Sequence, residues 1–308
     1  MIFFYTGGSK SGKSMLAQCR ARELAGAGPL YYLATMEPKD DEDRSRIARH
    51  LKERDGWGFE TIECGKSLLS CLEKADRRGV FLLDSVTALL SNEMFRDAEV
   101  CFGAAKKVAT ELLTLAGSVR ALVAVSDDIY TDSCGYDYLT EEFRRGLSYI
   151  CKALAAKADC TIEVSAGQAA ELNGKEPKTE GGSAVTLIIG GAYQGKTEYA
   201  KSRFGLADED IFECGTTAPD CSRRCLCHLE RLSLFCDENG LDARALLDNW
   251  LKAQPEGVLI CDDIFCGVVP MEQKTRAWRE SAGLLLRFAA ERSGEVTRIV
   301  CGLPQRLK

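Results

Sequence analysis

The sequence predicts an α/β protein made of two P-loop domains, each a mostly parallel sheet flanked by helices. Three observations carry this. A Gly-x4-Gly-Lys-Ser/Thr loop occurs twice, 183 residues apart, each time after an apolar run and before a segment of helical composition. Short apolar runs alternate with stretches long enough for crossover helices. Between the two loops lies Asn173-Gly-Lys-Glu-Pro-Lys-Thr-Glu-Gly-Gly-Ser183-Ala184, polar and rich in turn formers. The expected organisation is a domain over 1–172, a linker over 173–184 and a shorter domain over 185–308.

In chain order, the first domain offers strands at Ile2–Tyr5, Leu30–Ala34, Val80–Leu83, Leu122–Val125 and Thr161–Val164. Phe143, Leu147, Ile150, Leu154 and Ala158 step by three or four and stripe one face of a helix. The second domain offers Val185–Ile189, Ile211–Cys214, Val258–Cys261 and Arg298–Cys301, with Trp278, Ala282, Leu285 and Ala289 striping a helix before the last strand. It reads as the same RecA-like arrangement cut short.

The loops carry phosphate chemistry. Gly7, Gly8, Ser9, Lys10, Ser11, Gly12, Lys13 and Ser14 form the first; Gly190, Gly191, Ala192, Tyr193, Gln194, Gly195, Lys196 and Thr197 form the second. Glycines let the backbone wrap closely enough to aim N–H groups at a phosphate, and the following helix adds its positive end. Lys13 and Lys196 are expected to reach the β- and γ-phosphates, while Ser14 and Thr197 offer hydroxyls to Mg²⁺. The acidic pairs Asp127-Asp128 and Asp262-Asp263 fall at strand ends beside these loops, where contact with Mg²⁺ or a substrate hydroxyl competes with simple solvation.

Composition narrows the partners. Lys and Arg number 40 against 46 Asp and Glu, a net charge of -6 that disfavours bulk duplex DNA or an anionic membrane. No apolar run is long enough to span a bilayer. Fifteen scattered cysteines behind an amino terminus without a secretory pattern predict reduced thiols and a cytoplasmic location. Of the two histidines, His50 follows Arg46 and precedes Arg54 at helical spacing, after the helix-start signal Asp40-Asp41. Flanking guanidiniums hold an imidazole neutral, fit to attack phosphorus, although an ordinary surface histidine has the same spacing.

Gly7-Gly8-x-x-Ser11-Gly12-Lys13-Ser14, Tyr32-Leu33-Ala34-Thr35, Asp40-Asp41-Glu42-x3-Arg46-Ile47-x2-His50, Trp57, Thr61-Ile62-Glu63 and Leu82 to Asn92 together resemble the adenosylcobinamide kinase/adenosylcobinamide-phosphate guanylyltransferase family of cobalamin biosynthesis. The resemblance covers most of residues 1–170. It implies that His50 attacks the α-phosphate of GTP and becomes guanylylated. The implied nucleotide contacts are the 7–14 loop, Ala34, Thr35, Met36, Glu63 and Asp84. It further implies phosphorylation of adenosylcobinamide by ATP or GTP with Mg²⁺, GMP transfer to adenosylcobinamide phosphate, and self-association.

One departure stands out. The family's Asn-Glu-Val-Gly-x-Gly-Ile-Val-Pro is replaced by Asp127-Asp128-Ile129-Tyr130-Thr131-Asp132-Ser133-Cys134, whereas Asp262-Asp263-Ile264-Phe265-Cys266-Gly267-Val268-Val269-Pro270 keeps more of it. The second domain has no Arg-Ile-x-x-His segment. Its His228 follows Cys221, Cys225 and Cys227, a spacing unlike paired zinc knuckles, and the expected reading is a helix face. Rival readings are a non-catalytic P-loop sensor or assembly subunit and a RecA-like ATPase on nucleic acid. The acidic balance and the lack of a basic, aromatic-interleaved patch weigh against the latter.

Overall fold

A computed structural model describes residues 1–8, 11–37, 56–96, 99–132, 134–165, 168–172, 185–265 and 272–308. The chain divides into two compact units, Met1–Ile129 with Asp137–Asn173, and Tyr130–Tyr136 with Gly174–Lys308.

The first unit runs β1 (Ile2–Gly7), α1 (Lys13–Ala25), β2 (Leu30–Ala34), β3 (Glu60–Glu63), a 3₁₀ turn, β4 (Val80–Asp84) and α2 (Val86–Met94). It continues through a two-residue hairpin, β5 (Phe95–Arg96) and β6 (Glu99–Val100), then α3 (Ala104–Ser118), β7 (Ala121–Asp127), α4 (Tyr138–Ala155), β8 (Cys160–Ser165) and β9 (Gln168–Leu172). The main sheet has the order β3-β2-β4-β7-β1-β8-β9, parallel except for β8 against β9. Its central strands are apolar throughout because helices cover both faces. On one face Ala17, Ala21 and Ala25 of α1 pack at four-residue spacing on Tyr5, Val80, Leu82, Val123 and Val125. Small side chains let this helix lie close to the sheet, which carries its amino terminus to the strand ends.

The second unit runs β10 (Thr186–Gly190), α5 (Lys196–Phe204), a 3₁₀ turn, β11 (Ile211–Glu213), β12 (Cys225–Cys227), α6 (Leu229–Asn239), α7 (Ala243–Ala253), β13 (Val258–Asp262), α8 (Gln273–Arg292), β14 (Glu295–Val300) and β15 (Leu303–Arg306). Its sheet order is β11-β12-β13-β10-β14-β15, with only the last pair antiparallel. Leu187 faces a core with Leu226, Leu232, Trp250, Leu259 and Leu285, while the next residue, Ile188, faces Ala200, Ile260 and Ile299. The period-two alternation thus feeds two cores, one per face.

Every strand expected from the sequence is present. Ala158 is a correction: α4 ends at Ala155, so the last residue of the expected stripe lies beyond the helix. A second correction concerns Cys225 to Cys227, expected on a helix face and found as a buried strand between β11 and β13. The helix expected from Asp40 lies outside the described residues.

Candidate functional site

Parallel pairing brings the carboxyl ends of β1 and β7 together, with Gly7 opposite Asp127. The second sheet places Gly190 opposite Asp262 in the same way. Gly7 and Gly190 have φ of 154° and 153°. A Cβ at either would approach the carbonyl oxygen of Val164 or Ile299 to 2.3 and 2.4 Å. The first glycine of each loop is therefore required by close approach to the neighbouring strand. Gly12 and Gly195, left-handed at φ 96° and 95°, turn the chain into α1 and α5.

The lysines that follow are almost fully buried and are held in matching ways. Lys13 Nζ donates to Gly8 O at 3.0 Å and pairs with Asp127 Oδ1 at 2.7 Å. Lys196 Nζ donates to Gly191 O at 2.6 Å and pairs with Asp262 Oδ1 at 2.7 Å. A buried ammonium needs such partners. Each aspartate is anchored by its backbone: Asp127 N donates to Thr87 Oγ1 at 3.0 Å, and Asp262 N to Glu230 Oε2 at 2.9 Å. The following residues, Asp128 and Asp263, donate N–H to Gly7 O and Gly190 O.

The half-buried hydroxyl residues Ser14 and Thr197 follow these lysines in each loop. Hydroxyl and carboxylate oxygens form a hard donor set that suits Mg²⁺. Ser11 Oγ and Gln194 Nε2 are buried polar atoms with no hydrogen-bond partner, one in each loop, and a phosphate oxygen would satisfy either. Within the second unit, Ala192 N donates to Tyr130 O at 2.9 Å. Ser9 and Lys10 lie outside the described residues.

The other expected contacts gather at the same sheet edge. The register aligns Glu63 with Ala34 and Ala34 with Asp84. Ala34 and Met36 are half-buried and Glu63 is exposed; Asp84 Oδ2 accepts from Tyr32 Oη at 3.4 Å. Thr35 is buried, and its hydroxyl bridges the backbone of Ser85, donating to the carbonyl and accepting from the N–H. Asn92 Nδ2 donates to the carbonyls of Thr35 and Gly65 at 2.7 and 3.1 Å. These bonds fix the turns after β2 and β3. His50, with Arg46 and Arg54, lies outside the described residues.

His228 sits where the second sheet meets its loop. It precedes α6 with a left-handed φ of 63°. Its Nδ1 lies 3.0 Å from Glu230 Oε1 and 3.7 Å from Asp262 Oδ2; its Nε2 lies 3.4 Å from Glu213 Oε2. Burial works against its charged form, yet hydrogen bonds and charge from Cys227 and Glu230 prevail and lift its pKa to about 10. Its position follows from the register: Cys227 occupies in the second sheet the place of Asp84 in the first, and His228 that of Ser85. Glu230 and Thr87 were not visible as site residues in the sequence, since neither lies in a loop motif.

No curated protein matches the chain. Among solved structures it is similar to a phosphate-loop ATPase domain, at 12% identity over 53% of this chain and 68% of that one, with a TM-score of 0.33. It is also similar to the flagellar accessory protein FlaH from Methanocaldococcus jannaschii, at 13% identity over 55% and 74%, with a TM-score of 0.29. A third is a KaiC-like protein from the hyperthermophilic archaeon Pyrococcus horikoshii OT3, at 16% identity over 53% and 71%, with a TM-score of 0.27. The family model for cobinamide kinase/cobinamide phosphate guanyltransferase matches residues 3–172. With more than half of its length matched, the chain belongs to the cobinamide kinase/cobinamide phosphate guanyltransferase family.

Proposed function

We propose that the first unit catalyses both reactions named by its family. In the kinase step a hydroxyl of adenosylcobinamide attacks the γ-phosphorus of ATP or GTP, and the nucleoside diphosphate departs. In the transfer step an imidazole nitrogen of His50 attacks the α-phosphorus of GTP. The bond to the β-phosphate breaks and pyrophosphate leaves; the phosphate of adenosylcobinamide phosphate then takes GMP from the histidine, giving adenosylcobinamide-GDP. The observation that carries this reading is the Lys13–Asp127 pair at the carboxyl edge of the sheet, inside the matched span.

Lys13 follows charge onto the departing phosphate oxygens, a contact that strengthens in the transition state. Asp127 and Ser14 would hold Mg²⁺, which offsets phosphate charge when bound. The free thiols found at every described cysteine favour a reducing, cytoplasmic setting, and no described helix is long and apolar enough to cross a membrane. For the second unit we propose a shortened counterpart that binds a nucleotide through Lys196, supported by the matching register and lysine–aspartate pair. Self-association belongs to the same proposal.

The test is incubation with α-labelled GTP and Mg²⁺. Wild type is expected to retain label through denaturation and His50→Ala to retain none. An unlabelled wild type would remove the guanylyltransferase reading.

A further inference from the structure

The second sheet brings together a cluster with chemistry different from that of the phosphate loop. Glu213 ends β11 and Cys227 ends β12, and the two are paired residues of adjacent parallel strands. His228 follows directly. One ligand atom from each of Glu213, Cys227 and His228 lies within 4.8 Å of the others. Thiolate, imidazole and carboxylate form a mixed soft and borderline set that suits Zn²⁺-class ions over Mg²⁺ or Ca²⁺. Ligands 2.0–2.3 Å from a tetrahedral ion are separated from one another by roughly 3.3–3.7 Å. The His228 Nε2 to Glu213 Oε2 distance of 3.4 Å falls in that range.

The histidine is also oriented. Nδ1 faces Glu230 Oε1 at 3.0 Å, while Glu230 Oε2 accepts from Asp262 N and the Glu230 carbonyl accepts from Trp278 Nε1 at 2.7 Å. This buried carboxylate is held at both ends, and an Nδ1–H directed at it leaves the Nε2 lone pair for an ion. That is the carboxylate–histidine–metal arrangement of zinc sites. The overlapping set of His228, Glu230 and Asp262 is less suited, because Asp262 holds Lys196 and Glu230 holds the Asp262 backbone.

We infer that Glu213, Cys227 and His228 form a three-ligand site for a zinc-class divalent ion, oriented by Glu230, on the rim of the second phosphate loop. Thr197 Oγ1 lies 3.8 Å from Cys227 Sγ, which places the fourth coordination position beside that loop. The site is independent of the nucleotidyl-transfer reading and its test involves no turnover.

The experiment is titration of the full-length protein, stripped with a chelator, with Co²⁺ followed by absorption. Wild type is expected to bind one equivalent with a near-ultraviolet thiolate-to-cobalt band and the visible bands of a tetrahedral ion, unchanged by millimolar Mg²⁺. Cys227→Ser should abolish the charge-transfer band, Glu230→Gln should weaken binding about 10- to 100-fold, and Cys221→Ser should match wild type. Glu213 is exposed, so Glu213→Gln keeps the fold and decides the matter if Cys227→Ser does not fold; it should weaken Co²⁺ at least about tenfold. Absence of the band in wild type overturns the site. So does an unchanged titration in Cys227→Ser or, where that variant does not fold, in Glu213→Gln.

Discussion

Lys13 and Lys196 bring charge to places where their side chains are 7% and 6% exposed. Only the paired aspartate and the loop carbonyl make that burial tolerable. Lys13→Ala is expected to lower turnover of adenosylcobinamide with a nucleoside triphosphate by about 100-fold or more, and Lys13→Arg not to restore it, because a guanidinium fork does not fit a site shaped for one ammonium. Steady-state rates with a thermal-melting control check this; near-wild-type rates in Lys13→Ala would remove the lysine from the chemistry. The lysines were legible from the loop motif alone. Their aspartates were legible only as acidic residues at strand ends, and Thr87 and Glu230, which hold those aspartates, carried no local signal.

At the scale of elements, α2 ties the loops after β2 and β3 to the sheet. Its Glu93, 2% exposed, accepts from Ser67 N at 2.7 Å and pairs with Lys107 at 2.7 Å. Burial opposes its charge, but the lysine, the N–H and Arg96 outweigh it and hold the carboxyl below the ordinary glutamate value. A depressed folded-state pKa contributes stability above the unfolded value, lost as pH falls through the folded one. Glu93→Gln should therefore cost about 2 kcal/mol near neutral pH, with the gap from wild type closing below about pH 4. Urea melts at pH 7 and pH 3.5 measure it, and an equal gap at both would refute the linkage. The expected strands were the apolar ones, buried on both faces. Those the pattern did not announce were β9, largely exposed, β15, with Pro304 in a half-buried run, and β12, three residues long. Edge or very short strands carry too little apolar periodicity to be read locally.

At the scale of the molecule, two loops with matching lysine–aspartate pairs lead to a stoichiometry. Equilibrium dialysis with Mg²⁺ and GTP should give two nucleotides per chain for wild type, one for either Lys13→Ala or Lys196→Ala, and none for the double variant. One nucleotide in wild type, unaffected by Lys196→Ala, would make the second loop vestigial.

The sequence by itself determined the α/β class, the two phosphate loops and the family, because glycine spacing, apolar runs and motif order are local properties of the chain. The tertiary structure alone decided which groups meet. Glu213, Cys227, His228 and Asp262 are separated along the chain by up to 49 residues, and they converge because parallel pairing aligns the carboxyl ends of β11, β12 and β13. Strand register is a non-local choice, made by burial on both sheet faces together, and it turned a histidine with no evident sequence role into the centre of a candidate site.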